Sequence, residues 1–208
     1  MTFSNSTTAM QREVPDSTRT SSHQQVRQIA LTLFAEKGFQ NVSLRKLAST
    51  LGVQPGSLYN HIASKHDLLF ELIDEHETDL LDTIEADIPK NGTPQEKLFS
   101  YIRSHLSFNA QHPQHLSLTQ LEFRNLNPSQ QRAIQAIRIA HANVLKDIIQ
   151  QGTQQKQFKP TSLRMGIVLI LAMLNEAAST QHIEINASPE NTTALLQEMI
   201  LGMLSATP

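Results

Sequence analysis

The chain has 208 residues and a formal net charge of −2 at pH 7, a length that suits a small module joined to a larger domain. It has no cysteine, which excludes disulfides, thiolate metal sites and a cysteine nucleophile. The longest apolar run, Met165 to Leu174, is too short to span a bilayer, and the N-terminus lacks the apolar stretch of a signal peptide. We therefore expect a cytoplasmic protein with no membrane partner.

The charge is unevenly distributed along the chain. Residues 22–66 contain five Lys or Arg against one Glu, which gives +4, whereas residues 67–208 contain 10 basic and 16 acidic residues, which gives −6. A basic segment joined to an acidic body indicates that the first part contacts a polyanion.

The first 66 residues divide into a tail and a set of short helices. Residues 1 to about 21 are rich in Ser, Thr, Asn and Gln and lack periodicity, so we predict a flexible tail. A helix follows, because apolar residues recur three and four positions apart, and Gly38 is typical of its end. A second helix begins at Ser43 and ends at Gly52, and Pro55 opens a third.

The rest of the chain also predicts helices. Ser64 and Thr93 each begin a capping box, and the pairs Asn127-Pro128 and Ser188-Pro189 open two later helices. A helix over about residues 162–181 is apolar almost all round, so we expect it to be buried. No run alternates with a period of two. The fold class is therefore all-α with about nine helices: a three-helix domain over residues 22–66, then a helical domain over residues 67–208.

Residues 43–60 have the layout of a helix-turn-helix. Two short helices flank a turn at Leu51-Gly52-Val53, where glycine permits a positive φ angle. Four small or apolar side chains are expected to hold the two helices at a fixed angle: Leu47, Ala48, Val53 and Leu58. The outer side of the second helix is polar, as in a recognition helix that lies in a major groove.

Together with residues 30–39 and 59–69, this motif resembles the DNA-binding domain of the TetR family of repressors. The resemblance implies that operator DNA is bound through Ser43, Arg45, Gln54, Gly56, Ser57, Tyr59, Asn60, His61 and Lys65. Gln54 and Asn60 are candidates for base edges, because an amide can bond adenine in two places. Tyr59, His61, Lys65, Ser43 and Arg45 are candidates for phosphates, which fix the register.

The same resemblance implies a homodimer formed by the helix from Ser162 and the last helix of the chain. The body is similar to a TetR subgroup that includes repressors of fatty-acid and sterol-side-chain degradation, whose inducers are acyl-coenzyme A thioesters. The chain has no Trp, which that subgroup often carries beyond the position of Asn175. The resemblance thus implies a small-molecule inducer that is a coenzyme A thioester or a related lipid-like acid.

We expect the inducer to lie in an apolar tunnel between the long amphipathic helices. The predicted tunnel residues are Phe99, Ile102, Leu106, Leu118, Leu121, Ile137, Val144 and Leu145. Polar candidates to orient the ligand are Arg103, Gln120, Arg124, Arg138, His141 and Asn175. The arginines could meet a carboxylate or phosphate, and Asn175 interrupts an apolar helix and would need partners for its amide.

Other functions have weaker support in the sequence. His105, His112 and His115 lie close together, but Pro113 separates the last two and no acidic residue has ligand spacing, so we predict no metal site. No phosphate loop, nucleophile elbow or catalytic constellation is present, so we predict no enzyme and no cofactor. A DNA-binding regulator without an inducer remains the alternative, because its sequence would look the same up to residue 66.

Overall fold

The computed structural model describes residues 16–179 and 188–205, which form nine α-helices and no strand. The helices are α1 (Asp16–Lys37), α2 (Leu44–Leu51), α3 (Pro55–Leu58), α4 (Lys65–Asp87), α5 (Pro94–Gln111), α6 (Pro113–Leu121), α7 (Pro128–Gln154), α8 (Leu163–Ser179) and α9 (Pro189–Ser205). The predicted all-α fold is confirmed. Residues 16–21 of the predicted tail are helical, and its first fifteen residues lie outside the described part of the chain. No helix of the described residues is long and apolar enough to cross a membrane.

Local capping explains where most of the helices begin. The Ser43 hydroxyl accepts a hydrogen bond from the backbone N–H at the start of α2, and the Ser64 hydroxyl does the same for α4. Thr93 and Glu96 form a reciprocal capping box, and Asn127 begins a second one at α7. Because the first N–H groups of a helix have no helical acceptor, these side chains determine the helix starts, and the predicted starts are confirmed.

A first apolar core joins the N-terminal helices to the body. The apolar faces of α1 and α2 contribute to it, and α6, α7 and the loop between them also contribute Leu118, Leu126 and Ile134. The core therefore extends beyond residue 66, where sequence alone puts the domain boundary. Its buried members are Val26, Ala30, Leu31, Leu33, Phe34, Phe39, Val42, Leu47, Ala48, Leu58, Ile62, Leu68, Leu69, Leu72, Ile73, Leu118, Leu126 and Ile134.

A second apolar core holds the body together. It consists of side chains from the C-terminal half of α4 and from α5, α7, α8 and α9, together with Leu116 of α6 and Phe158 between α7 and α8. Helix α4 belongs to both cores: Leu68, Leu69, Leu72 and Ile73 lie in the first, whereas its later residues Leu80 and Ile84 lie in the second. A single continuous helix thus links the two regions of the molecule.

In the single chain the helix from Ser162 is buried on one face, and its other face lies on the surface predicted to form the dimer. Gly166, Ile170 and Leu174 of α8 are buried. Its opposite side, together with the outer side of α9, leaves a set of large apolar side chains exposed: Met165, Val168, Leu169, Leu195 and Met199. An apolar surface of this kind on two adjacent helices is unusual for a free monomer and marks a contact surface. We call it the α8–α9 face.

Candidate functional site

The turn between α2 and α3 is held by backbone geometry. Gly52 ends α2 with φ +72°, a left-handed conformation that favours glycine, and its N–H bonds to α2 carbonyl oxygens. Leu47, Ala48 and Leu58 are fully buried between the helices, as predicted. The prediction for Val53 is wrong: this side chain is 41% exposed. The reversed backbone at Gly52 leaves the contact between the helices to the other three side chains.

The predicted DNA-contact residues surround α3 on one exposed surface. Seven of them are solvent-exposed: Ser43, Arg45, Gln54, Gly56, Ser57, Tyr59 and Asn60. His61 and Lys65 are half-buried at the edge of this surface. The Gln54 side chain makes no capping hydrogen bond at the start of α3, and Tyr59 is 58% exposed. The side chains that the sequence assigns to bases and phosphates are thus available at the surface.

Lys65 lies at the N-terminus of α4, where the helix dipole is positive. Its Nζ atom lies 4.0 Å from the centroid of the Phe39 ring, a cation–π contact. Partial burial lowers the pKa of Lys65, and the Glu122 carboxylate opposes that shift. A phosphate near this position would meet both the ammonium group and the helix N–H groups, so its predicted role stays chemically reasonable.

Hydrogen bonds connect the region between α6 and α7 to the N-terminal helices. The buried Glu122 carboxylate accepts a 3.0 Å hydrogen bond from the Phe39 backbone N–H and another from Asn125. The Gln40 amide donates to Asn125 Oδ1 over 2.6 Å. Arg124 is exposed in this region and does not line the cavity described next.

A cavity of about 310 Å³ lies among α4, α5, α6, α7 and α8. It includes four of the six predicted ligand residues, Gln120, Arg138, His141 and Asn175, whereas Arg103 lies elsewhere, beside a cleft between α5 and α9. The full lining is His76, Glu77, Leu80, His105, Asn109, Leu116, Thr119, Gln120, Phe123, Arg138, His141, Leu171 and Asn175.

The predicted lining of the tunnel is wrong for this cavity. None of the eight predicted tunnel residues lines it, because Ile102, Leu106, Leu118 and Leu145 are packed into the two cores. Nine of the thirteen lining residues are polar, although most of the accessible wall surface is apolar, so a ligand there would meet both apolar surface and hydrogen-bonding groups. Asn175 is also not buried within its helix; it is exposed at the rim, where its backbone oxygen accepts from the Gln120 amide over 3.3 Å.

An ion pair lies in the cavity wall. Arg138 Nε donates to Glu77 Oε1 over 2.6 Å, and the same guanidinium donates to the Thr119 backbone oxygen over 3.3 Å. Arg138 also lies 4.6 Å from the Phe123 ring centroid. Burial raises the pKa of Glu77, and Arg138 opposes that rise. The charge of this arginine is therefore already compensated by a carboxylate.

Three neutral histidines form much of the remaining wall. Burial is the main cause that lowers the pKa of His76 to about 4, of His141 to about 4 and of His105 to about 3. His105 stacks on His141 with ring centroids 5.3 Å apart, and Tyr101 Oη shares a 2.8 Å hydrogen bond with His141 Nε2. His76 Nε2 lies 3.1 Å from Asn109 Oδ1, which can only accept, so Nε2 carries the proton.

Two polar side chains of the wall are buried without hydrogen bonds. Both ring nitrogens of His105 and the hydroxyl of Thr119 have no partner at hydrogen-bond geometry. The nearby Asn175 side chain raises the pKa of His105 against the effect of burial, but neither ring nitrogen has a partner at hydrogen-bond distance and angle. Buried polar groups normally have partners, so these two side chains need an explanation.

Sequence reasoning did not place several polar residues of the wall among the candidate ligand residues. They are His76, Glu77, His105, Asn109 and Thr119. The available signal was the helical period: His76 and Glu77 lie between the core positions Ile73 and Leu80 on α4, where apolar residues would continue the pattern. Within residues 16–179 and 188–205, no group of three or more His, Asp or Glu could hold a metal ion.

Comparison with known proteins agrees with this architecture. Residues 28–72 match the family model for bacterial regulatory proteins of the tetR family, and residues 91–179 match the tetracyclin repressor-like C-terminal domain. The fatty acid metabolism regulator protein of Bacillus subtilis is 28% identical over 159 residues, which are 76% of this chain and 82% of that protein.

Solved structures show the same fold. A tetR-family regulatory protein from Rhodococcus RHA1 aligns with a TM-score of 0.84 at 23% identity, over 90% of this chain and 98% of its own. FadR from Bacillus subtilis in complex with stearoyl-CoA aligns with a TM-score of 0.70 at 26% identity, over 89% of this chain and 100% of its own. The helix-turn-helix, the helical body and both family matches show that the chain belongs to the TetR family of DNA-binding transcriptional regulators.

Proposed function

We propose that this regulator is a homodimeric repressor that leaves its operator when a small molecule occupies the cavity. The observation that carries the proposal is the position of α4. Its first residue, Lys65, belongs to the predicted DNA-contact surface. About 18 Å farther along the helix axis, His76, Glu77 and Leu80 line the cavity. A ligand that displaces these residues would tilt the whole helix and move the DNA-binding surface.

The α6 helix offers a second connection between the cavity and DNA. Thr119 and Gln120 line the cavity, and the carboxylate of Glu122, just beyond α6, binds the backbone of Phe39 next to the predicted phosphate-contact residue Lys65. A ligand shifts such an equilibrium only by preferring one of the two states. The proposed DNA-free state is therefore the one whose cavity fits the ligand better.

DNA recognition is assigned to the exposed surface around α3. Gln54 and Asn60 read base edges, and Tyr59, His61 and Lys65 bind phosphates. Ser43 and Arg45 bind phosphates from the start of α2, while Gly56 and Ser57 allow the backbone to approach the groove closely. Seven of these nine residues are exposed and His61 and Lys65 are half-buried at the edge of the same surface, which supports the assignment.

The α8–α9 face is the proposed dimer surface. Its exposed apolar side chains would be covered by the same face of a second copy, which forms a four-helix bundle and places two recognition helices in successive major grooves, about 34–36 Å apart.

We expect Met199→Glu to produce monomers that bind operator DNA poorly. Leu121→Glu is the matched control, because Leu121 is also exposed but lies outside this face.

The inducer is proposed to be a coenzyme A thioester. Support comes from relatives: one similar structure contains stearoyl-CoA, and AibR, with a TM-score of 0.75 at 18% identity over 88% of this chain, was solved with isovaleryl coenzyme A and operator DNA. A regulator that binds DNA without an inducer remains the alternative, and the cavity with its unsatisfied polar groups favours the ligand-responsive function.

The test is a selection of DNA sequences from a random library on the purified chain. We expect an inverted repeat whose half-sites are about one helical turn apart, and sedimentation that shows one dimer or two on the selected site. Coenzyme A thioesters are then added to the complex. Release of the DNA supports the inducible repressor, whereas enrichment of no sequence contradicts the proposed function.

A further inference from the structure

The two unsatisfied side chains of the cavity wall lie on different helices that border the same space. His105 is on α5 and is 1% exposed, and Thr119 is on α6 and is 7% exposed. Both line the cavity, and neither side chain has a hydrogen-bond partner. A buried polar group without a partner is costly, and that cost disappears when a bound molecule supplies the missing bond.

The charges of the cavity wall are compensated. Arg138 is paired with Glu77 at 2.6 Å, and the pKa values of His76, His105 and His141 lie far enough below 7 for these rings to be neutral. A carboxylate or phosphate in the cavity would have to share Arg138 with the Glu77 carboxylate, so it would meet no net positive charge there and would be repelled by Glu77.

An unbranched alkyl chain is also a poor fit. It would leave His105 and Thr119 without partners and would displace any water that satisfies them, so its burial would not remove the cost of either group. The volume of about 310 Å³ is at the lower end of the range of about 300–1,000 Å³ for ligand pockets, which favours a compact molecule.

We propose that the cavity binds a compact, uncharged, oxygenated group, a hydroxyl or carbonyl on a short or cyclic carbon skeleton, through His105 and Thr119. The neutral imidazole supplies one donor and one acceptor, and the threonine hydroxyl can act as either. The group can belong to a free molecule or to the acyl part of a coenzyme A thioester, and the shared chemistry is the buried oxygen. This inference rests on the proposed function, since it specifies the ligand of the same cavity.

Calorimetric titration of the full chain at pH 7 compares matched probes. One arm uses 3-hydroxybutyryl-CoA, butyryl-CoA and stearoyl-CoA, and the other uses cyclohexanol, cyclohexanone and cyclohexanecarboxylate. All three thioesters share the thioester carbonyl, so in that arm the comparison measures the added 3-hydroxyl. We expect 3-hydroxybutyryl-CoA, or cyclohexanol and cyclohexanone in the other arm, to bind at least about tenfold more tightly than the alkyl or carboxylate counterpart, because the added uncharged oxygen reaches the buried side chains. The arm that shows the preference identifies the free or the thioester source.

Variants link the preference to the two side chains. Thr119→Val and His105→Phe should each reduce the preference to about threefold or less, and His66→Phe, the same chemical change at an exposed histidine outside the cavity, should leave it unchanged. The thermal midpoint of the ligand-free variants should not fall, because each change removes an unsatisfied polar group. Thr119→Val keeps the side-chain shape, so this variant alone shows whether the binding preference depends on the cavity wall if His105→Phe does not fold.

Two results would overturn the inference. One is tighter binding of stearoyl-CoA or cyclohexanecarboxylate than of the oxygenated probes, which leaves the inducible repressor intact. The other is a preference for oxygenated probes that survives both cavity variants. Failure of the proposed function itself appears separately, as a failure to select an operator sequence.

Discussion

The two ends of this molecule distribute their polar groups in opposite ways. Between residues 23 and 66, every buried side chain is apolar and the polar groups lie on the surface around α3. From α4 to α7, in contrast, ten buried side chains are polar or charged: His76, Glu77, Ser100, Ser104, His105, Asn109, Thr119, Glu122, Gln130 and His141. The N-terminal end has a purely apolar interior, whereas the interior of the body is partly polar.

The proposed function offers an explanation of this difference. DNA is too large to enter a protein, so a DNA-binding region can keep a dry apolar core and carry all recognition on its surface. The proposed small molecule would bind inside the body, so its polar partners would be buried even when the cavity is empty. The unpartnered side chains of His105 and Thr119 would be the cost of such a site.

The largest expected effect tests the apolar interior of the N-terminal region. Leu58→Ala removes a fully buried side chain between α2 and α3 and should lower the free energy of unfolding by about 2–5 kcal/mol. Urea denaturation followed by circular dichroism measures the loss. Leu121→Ala is the control, since that side chain is 61% exposed and should change stability by less than about 0.5 kcal/mol. Equal losses in the two variants would contradict the burial of Leu58.

Acid should destabilise the polar interior of the body. The pKa values of His76, His105 and His141 are lower in the folded chain than the ordinary value of 6.5, so below that pH the unfolded chain binds protons that the folded chain does not. The free energy of unfolding should fall as the pH drops from about 6.5 to about 4, by about 3 kcal/mol for one histidine shifted to about 4.

Urea denaturation at several pH values checks this sign. The groups that face His76, namely His112, His115 and Arg138, oppose its protonation further, whereas Glu77, whose pKa is raised, offsets part of the loss. His105→Phe should make the dependence on pH shallower, because one of the depressed groups is gone. If the free energy of unfolding rises on acidification, the buried histidines do not dominate its dependence on pH.

A smaller effect is expected at the DNA-contact surface. Tyr59→Ala should weaken binding to the selected operator about tenfold, because a hydrogen bond to a charged phosphate contributes about 1.5 kcal/mol. The unfolding curve should stay unchanged, because the Tyr59 side chain is exposed. Electrophoretic mobility shifts measure the affinity, and Tyr59→Phe, which removes only the hydroxyl, tests that bond alone. Unchanged affinity of the alanine variant would remove Tyr59 from the interface.

The smallest effect concerns the junction between the two regions. Ser64→Ala removes the hydroxyl that caps α4 and should reduce the free energy of unfolding by about 1 kcal/mol. Thermal denaturation measures this loss, and Ser43→Ala, which removes the hydroxyl that caps α2, provides a second capping variant for comparison. A loss well above this value would indicate that Ser64 does more than cap the helix.

The sequence by itself predicted what depends on neighbours in the chain. The capping residues Ser43, Ser64 and Thr93 mark helix starts, and Gly52 marks the turn of the helix-turn-helix, because a cap or a left-handed turn involves only a few successive residues. The surface around α3 was accessible to prediction for the same reason: its residues lie within one short stretch.

The tertiary structure alone decided which side chains meet across the body. Glu77 and Arg138 are 61 positions apart, and His105 and Thr119 border one cavity from separate helices, so no local pattern indicates that the arginine is already paired or that the ring lacks a partner. The exposure of Val53 was also missed, because periodicity reports how apolar a segment is and not which neighbour covers it.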